Sequence, residues 1–503
     1  MLILLIMVLP ALAGIAAGAA GLNEKKGQWV YAGALLLTDI ITLILIIKGG
    51  ALRLFGLTDQ VSIAFSVDAA ARIFLLAVMI LYTAVLFYAF EYMHKEERIP
   101  VFFAFYMISY GAMLGVCMSR NLVTLYLCFE FATLSTVPLV LHEMHKEAVQ
   151  AGLKYLFYSV GGALMGLLGV FFLTYYGKGD TAFTIGGFLD PAKTAGHEKL
   201  LLVVIMISLI GFGTKAGMFP MHGWLPSAHP IAPAPASALL SGIIAKAGII
   251  AVIRLIYFSA GADFIRGTWV QTTWMVLAMV TIFMGSMMAF KEKVMKKRLA
   301  YSTVSQLSYI ILGLSFLSPA GIGGAFLHVF AQMASKGCLF LCAGTVINRL
   351  GFREVKDYKG LGEVMPVTMF AFFLASMSLV GIPPFGGFAS KWYLAAAAIG
   401  SGIPGFRIAA PVILLISALL TAGYLFPVMV EAFFPGEEYS FMKERGTEVS
   451  GTVFHKRRNG KVSAEPSCLM LVPMIVLVAV SLCVGLFGSQ IVSLIQSLIP
   501  VTL

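Results

Sequence analysis

Apolar residues in this chain come in long uninterrupted blocks separated by short polar connectors. Fourteen blocks stand at about residues 2–20, 29–47, 67–90, 100–118, 121–141, 152–176, 200–220, 236–258, 269–290, 302–317, 321–347, 366–397, 408–433 and 468–498. An apolar run of about 17–25 residues matches the hydrocarbon thickness of a bilayer. Barrel strands are shorter and alternate in polarity, so these blocks predict helices. The expected fold is all-α, a polytopic membrane protein of about 14 transmembrane helices, which we number as spans in chain order.

Two spans carry helix breakers in comparable places. The seventh holds Gly211, Gly213, Gly217 and Pro220 and runs into MHGWLPSAHPIAPAP, and the twelfth holds Gly381-Ile382-Pro383-Pro384-Phe385-Gly386-Gly387. Paired broken helices point to an inverted-repeat transporter and its binding site. Spans four to eight (100–258) and nine to thirteen (269–433) then form two inverted five-helix repeats, each with a broken fourth helix. Peripheral helices (1–99), a polar cytoplasmic loop (434–467) and a C-terminal helix (468–503) complete the expected organisation.

Charge sets the expected orientation. The chain is 59% hydrophobic, only 12% charged, and carries a net charge of +11. The odd-numbered loops hold 20 Lys/Arg and the even-numbered loops 8; the other seven of the 35 lie within or at the edge of spans. By the positive-inside rule the odd loops are cytoplasmic, which places both termini on the opposite side. The run Lys291, Lys293, Lys296, Lys297, Arg298 then reads as a topology signal and not as a nucleic-acid site. The first span lacks a basic flank before it and reads as an uncleaved helix.

The seven intramembrane basic residues are Arg72, Lys154, Lys215, Lys246, Arg254, Lys336 and Lys391. A lysine near mid-bilayer costs roughly 2.5–3.5 kcal/mol on insertion scales, so such residues are normally functional. Lys215 precedes the break of the seventh span, Lys391 follows that of the twelfth, and Lys246 sits midway through the eighth. Glu130, nine residues into the fifth span, lies about 14 Å along a helix and offers a carboxylate to these amines. Arg254 approaches a span end and is expected to anchor at the interface, Lys154 is equally suited to the interface, and Asp68 and Arg72 are one turn apart and suited to pair. Polar stripes mark the eleventh span (His328, Gln332, Lys336) and the tenth (Ser302, Ser305, Gln306, Tyr309), each along one helix face. A desolvated lysine can titrate near neutral pH, so the chemistry these residues suggest is proton handling.

Other chemistries find no support. The six cysteines give no metal signature, with Cys338 and Cys342 read as packing residues, and no GxGxxG or GxxxxGK[ST] pattern occurs. His94, His142, His145, His197 and His455 fall in loops or at span edges, so no haem is expected. No cofactor or metal is assigned.

The segments GFGTKAGMFPMHGWLPSAHPIAPAPASALLSGIIAKAG, KRLAYSTVSQLSYIILG, HVFAQMASKGCLFLCAG and GIPPFGGFASKWYL resemble the antiporter-like membrane subunits of respiratory complex I. The same family includes Mrp cation/proton antiporter subunits and subunits of membrane-bound, energy-converting hydrogenases. The resemblance implies that Glu130 and Lys215 form a half-channel switch, that Lys246 and Lys336 continue a proton path, and that Lys391 is its terminal site. It implies supporting roles for His222, His229, His328, Gln332, Ser305 and Gln306. One departure stands out: a histidine is often found where this chain has Gln332, which cannot titrate, although His328 offers a titratable group on the same face. The chain lacks the additional C-terminal helices of the family's largest members, which favours the shorter fourteen-helix branch. The implied function is a proton-translocating subunit of a redox-driven complex in the cytoplasmic membrane. Its implied partners are related membrane subunits, peripheral redox subunits and the bilayer, with no nucleic acid. A subunit of an Mrp-type Na⁺/H⁺ antiporter is the alternative.

Overall fold

A computed structural model describes residues 1–21, 24–58, 61–436, 439–445, 455–456 and 462–499. Every predicted span is helical. Spans one to six are Leu2–Ala19, Glu24–Lys48, Ala69–Tyr92, Ile99–Met118, Leu122–Val140 and Lys146–Tyr175. The seventh is Glu198–Lys215, the eighth Ala234–Ala260, the ninth Trp269–Lys291, the tenth Met295–Ser315 and the eleventh Pro319–Leu350. The twelfth is split into Pro366–Val380 and Gly386–Gly400, the thirteenth is Phe406–Phe433 and the fourteenth Cys468–Leu486.

Among the described residues eleven helices are individually long and apolar enough to cross a bilayer. The other three predicted spans fall short for separate reasons. The seventh carries charge at both ends, the tenth begins with Lys296, Lys297 and Arg298, and the twelfth is divided into two 15-residue halves. The apolar block at 468–498 also divides, at Phe487, leaving the separate 11-residue helix Gly488–Leu498 packed against the eleventh span.

The eighth and eleventh spans form the centre, and the most apolar stretch of each is wholly buried inside the protein. A helix apolar all round belongs in such an interior. Around the eleventh span stand the third, eighth, tenth, twelfth and fourteenth. The first span is the most peripheral, with Leu12 and Ile15 more than half exposed, as suits a lipid-facing surface.

Both expected breaks are present. The seventh span stops at Lys215, passes Gly217 in the left-handed region at φ 69°, and resumes as the short helix Leu225–Ile231. The twelfth stops at Val380, turns through Gly381 at φ 97°, and resumes at Gly386. At the second break the two half-helices touch through backbone: a β-carbon at Gly387 would fall on the Ser378 carbonyl oxygen. Gly387→Ala is therefore expected to destabilise the protein by about 1–3 kcal/mol through overpacking. A melting temperature in detergent within experimental error of the parent would contradict this.

Three further features depart from the sequence reading. The eighth span contains two π-helical stretches, Leu240–Ile244 and Arg254–Ala260, which bracket the segment bearing Lys246. The connector after the second span is an antiparallel hairpin, Ala51–Gly56 with Ser62–Ser66, a small exception to an all-α chain. The third departure is Asp68, which pairs with Arg254 and not with Arg72. Asp68 caps the third span by accepting from the Ala71 amide at 2.9 Å. Arg254 then grips it in a two-pronged contact at 2.6 and 2.9 Å. Such parallel bonds outcompete a single contact along one helix. Arg254 is 1% exposed and lies between the Phe183 and Phe258 rings, so it is buried within the protein.

Of the 434–467 loop, residues 437–438, 446–454 and 457–461 lie outside the described residues, including most of HKRRNGK. Its described parts pack on the connector between the eleventh and twelfth spans. Phe441 is buried with its amide bound to Glu363, Arg445 meets Asp357 at 3.2 Å, and the Ala464 amide reaches the Val364 carbonyl.

Candidate functional site

The predicted residues fall into two neighbourhoods. The first surrounds Lys215, 1% exposed at the end of the intact part of the seventh span. Its ammonium donates to Thr133 Oγ1 at 2.8 Å and to the Tyr155 hydroxyl at 2.6 Å, and lies over the Tyr155 ring. Tyr155 also bonds Thr136 Oγ1 at 2.7 Å. Glu130, Thr133 and Thr136 recur every three residues on the fifth span, which brings a carboxylate and two hydroxyls to one side of that helix. Glu130 is half-buried, and its Oε1 has no hydrogen-bond partner. The ammonium is thus held by neutral oxygens and not by the carboxylate that the sequence offers as its partner.

The seventh span reaches the eighth at Gly248. A β-carbon there would stand 2.6 Å from the Phe212 oxygen and 3.0 Å from the Lys215 β-carbon. Only a glycine lets the two backbones meet so closely beside Lys215, two residues from Lys246.

The second neighbourhood gathers Lys246, His328, Gln332, Lys336 and Lys391. Lys246, fully buried, donates to the Gly242 carbonyl and to Gln332 Oε1. Its carbonyl partner sits in the first π-helical stretch, where altered backbone pairing accompanies many functional sites. Gln332 Nε2 reaches the Ser241 carbonyl at 3.4 Å, and Ser241 Oγ meets Thr303 Oγ1 at 2.7 Å. One turn beyond Gln332, Lys336 donates to the Leu299 carbonyl at 3.0 Å and to Ser302 Oγ. One turn before it, His328 Nδ1 meets Ser390 Oγ at 2.9 Å. The Tyr309 ring stacks on His328 and faces the Lys391 ammonium at 5.1 Å. Lys391 donates to the Leu379 and Val380 carbonyls at 2.6 and 2.9 Å, which are the carbonyls released where the twelfth helix breaks.

The remaining candidates are placed as follows. Ser305 joins Ser286 and Ser417 in a buried hydroxyl cluster, and both polar atoms of Gln306 are buried without a partner. His229 is fully buried against Phe340 with neither ring nitrogen bonded. His222 is half-buried and stacked on Phe219. Lys154 is exposed and donates to Ser227, away from the interior, as suits an interfacial lysine.

Sequence reasoning missed the groups that hold the amines: Thr133, Thr136 and Tyr155 for Lys215, Ser241 and Thr303 beside Gln332, and Ser390 for His328. The three-residue spacing of Glu130, Thr133 and Thr136 was a usable signal. Nothing in the sixth span singles out Tyr155.

Residues 119–421 match the family model described as "NADH:quinone oxidoreductase/Mrp antiporter, TM", which covers more than half of the chain. The chain belongs to this antiporter-like membrane subunit family. The matched region contains Glu130, Lys215, Lys246, Lys336 and Lys391, and residues 57–103 match a second model, described as the N-terminus of complex I chain 5. NADH-quinone oxidoreductase subunit N of Desulforudis audaxviator is 34% identical over 83% of this chain and 81% of its own length. Hydrogenase-4 component B of Escherichia coli is 30% identical over 65% of this chain, which spans only 49% of that relative. Among solved structures, a chain of the Mrp complex from Dietzia sp. shares the fold, with a TM-score of 0.81, 22% identity, and coverage of 99% of this chain and 97% of that one. The family, the fold and the multi-pass membrane architecture are therefore established.

Proposed function

We propose that this antiporter-like subunit translocates protons within a larger, redox-driven membrane complex. The observation that carries the reading is the linked set of interior ionisable groups contributed by the eighth, eleventh and twelfth spans. Lys246, Lys336 and His328 are each buried to 2% exposure or less, yet each is bound to polar atoms of a neighbouring helix. Interior polar side chains that served only to lock helices together would not need to recur at one-turn intervals along a single face.

Protons enter near Lys215 through the hydroxyls of Tyr155, Thr136 and Thr133. They cross to Lys246 where Gly248 brings the seventh and eighth spans together, run along the His328–Gln332–Lys336 face, and leave past Lys391. Gln332 carries no proton itself; its amide oxygen binds Lys246 and orients it. Glu130 acts electrostatically: its approach stabilises the charged Lys215, and its withdrawal drives the proton onward. Spans four to eight and nine to thirteen supply the two inverted half-channels, and both termini lie on the non-cytoplasmic side. The redox chemistry belongs to partner subunits, because no motif in this chain holds a redox group.

The second reading is Na⁺/H⁺ antiport without redox partners, which the Mrp part of the family description favours. A sodium site wants several oxygens around the cation, whereas amines dominate this axis. Reconstitution of the native complex in proteoliposomes separates the two. Proton movement that requires an electron donor is expected, and donor-independent exchange of Na⁺ for H⁺ would replace this reading with the second. The proteins that co-purify with the chain identify the complex.

A further inference from the structure

Among the described residues, one acid is buried within the spans. Asp39 is the sixteenth residue of the 25-residue second span, 13–14 Å by helical rise from Lys48 at its end. It is 8% exposed. Tyr110 of the fourth span donates to Oδ1, and Thr83 of the third span donates to Oδ2 at 2.6 Å. The neighbouring hydroxyls are committed elsewhere: Tyr82 to Ser109 at 3.0 Å, and Tyr106 to the Tyr82 carbonyl at 2.5 Å.

Asp39 also forms part of the wall of a cleft of about 890 Å³ between the second, third and fourteenth spans. Leu36, Ile40, Val472 and Val476 line it, and all four are more than 40% exposed. Thr83 and Asp39 are its main polar features, Cys468 faces it from the fourteenth span, and no basic side chain lines it. Two hydroxyl donors favour the ionised carboxyl, whereas an apolar cleft with no cation favours the protonated one. The acid is therefore poised between two states at mid-bilayer depth.

We propose that Asp39 is a proton-binding carboxyl that opens to the lipid phase, separate from the lysine axis, and the site at which a lipid-soluble carbodiimide modifies this chain. The reaction balances without a further reagent. The acid proton passes to a carbodiimide nitrogen, and the carboxylate oxygen adds to the central carbon to give an O-acylisourea. An oxygen-to-nitrogen acyl shift then gives a stable N-acylurea, so both molecules are retained in the adduct. The cleft admits the apolar reagent, and the Asp39 proton activates it. This inference does not rest on the proton path proposed above.

The test treats the native complex in its membrane with dicyclohexylcarbodiimide and maps the adduct by peptide mass spectrometry. The adduct is expected on Asp39, falling about tenfold per pH unit once the acid ionises. A water-soluble carbodiimide is expected to leave Asp39 unmodified. The isosteric Asp39→Asn loses the adduct. Tyr110→Phe removes a donor to the ionised form, so it carries the adduct to higher pH than the parent. An adduct confined to Glu130, the half-buried acid of the fifth span, overturns the proposal, as does equal modification by the water-soluble reagent. Complete protection of Asp39 in the native membrane overturns it too, because the cleft is then covered by a neighbouring subunit.

Discussion

Lys215→Ala is expected to reduce donor-driven proton translocation by about tenfold or more while the complex still assembles, since a positioned acid–base group typically contributes 10²–10⁴-fold. The expectation that the fold survives comes from the hydrogen bonds. Loss of the ammonium takes one partner from Thr133 and one from Tyr155, but Thr133 still donates to the Phe129 carbonyl at 3.0 Å and Tyr155 keeps Thr136 at 2.7 Å. No hydroxyl is orphaned, and a buried cation is exchanged for a methyl group. Lys215→Arg separates charge from proton transfer. A guanidinium preserves the positive charge but does not release a proton near neutral pH. The arginine variant should therefore translocate as poorly as the alanine variant. Proton-pumping rates of inverted membrane vesicles, normalised to the electron-transfer rate and to the amount of assembled complex, provide the measurement. A fully assembled Lys215→Ala complex that pumps at the parental rate would remove Lys215 from the path.

The difference between what was legible and what was not has a physical basis. In hydrocarbon a backbone must satisfy its own hydrogen bonds, so apolar length alone announces a helix. All fourteen blocks accordingly appear as helices, and the GIPPFGG and Gly217–Pro220 breaks fall where those residues deny the helix its geometry. The end of the fourteenth span at Phe487 was legible but passed over: Gly485, Gly488, Ser489 and Gln490 interrupt the apolar run there. The π-helical stretches were silent, since a shift of backbone pairing by one residue leaves composition untouched. The lysines of the candidate site stood out because each is costly in a membrane. Thr133, which receives Lys215, did not, because threonine is an ordinary packing residue in membrane helices. Gln332 illustrates the limit. As a replacement for a titratable residue it looks like a loss, but beside Lys246 its amide oxygen is a direct acceptor.

Arg254 yields the prediction with the largest expected effect on stability. Arg254→Leu should destabilise the protein by about 3–5 kcal/mol, the usual consequence of removing one member of a buried ion pair. Asp68 would lose both guanidinium contacts and keep only its bond to the Ala71 amide. Its side chain retains 29% exposure, so water relieves part of that charge and the lower end of the range is expected. Asp68→Asn combined with Arg254→Leu removes both charges and should restore more than half of the loss, because exchange of a whole buried pair for neutral groups is often nearly free. The consequence should extend to the site. Arg254 is eight residues, about 12 Å, from Lys246 along the same span and begins its second π-helical stretch. Arg254→Lys preserves the charge without the two-pronged grip. It is expected to fold yet to translocate protons more slowly, as the end of the eighth span loses its fixed anchor to the third. Thermal unfolding in detergent, read beside pumping in vesicles, tests both parts. A double variant no more stable than Arg254→Leu alone would mean that the guanidinium acts through the Phe183 and Phe258 rings that flank it and not through Asp68.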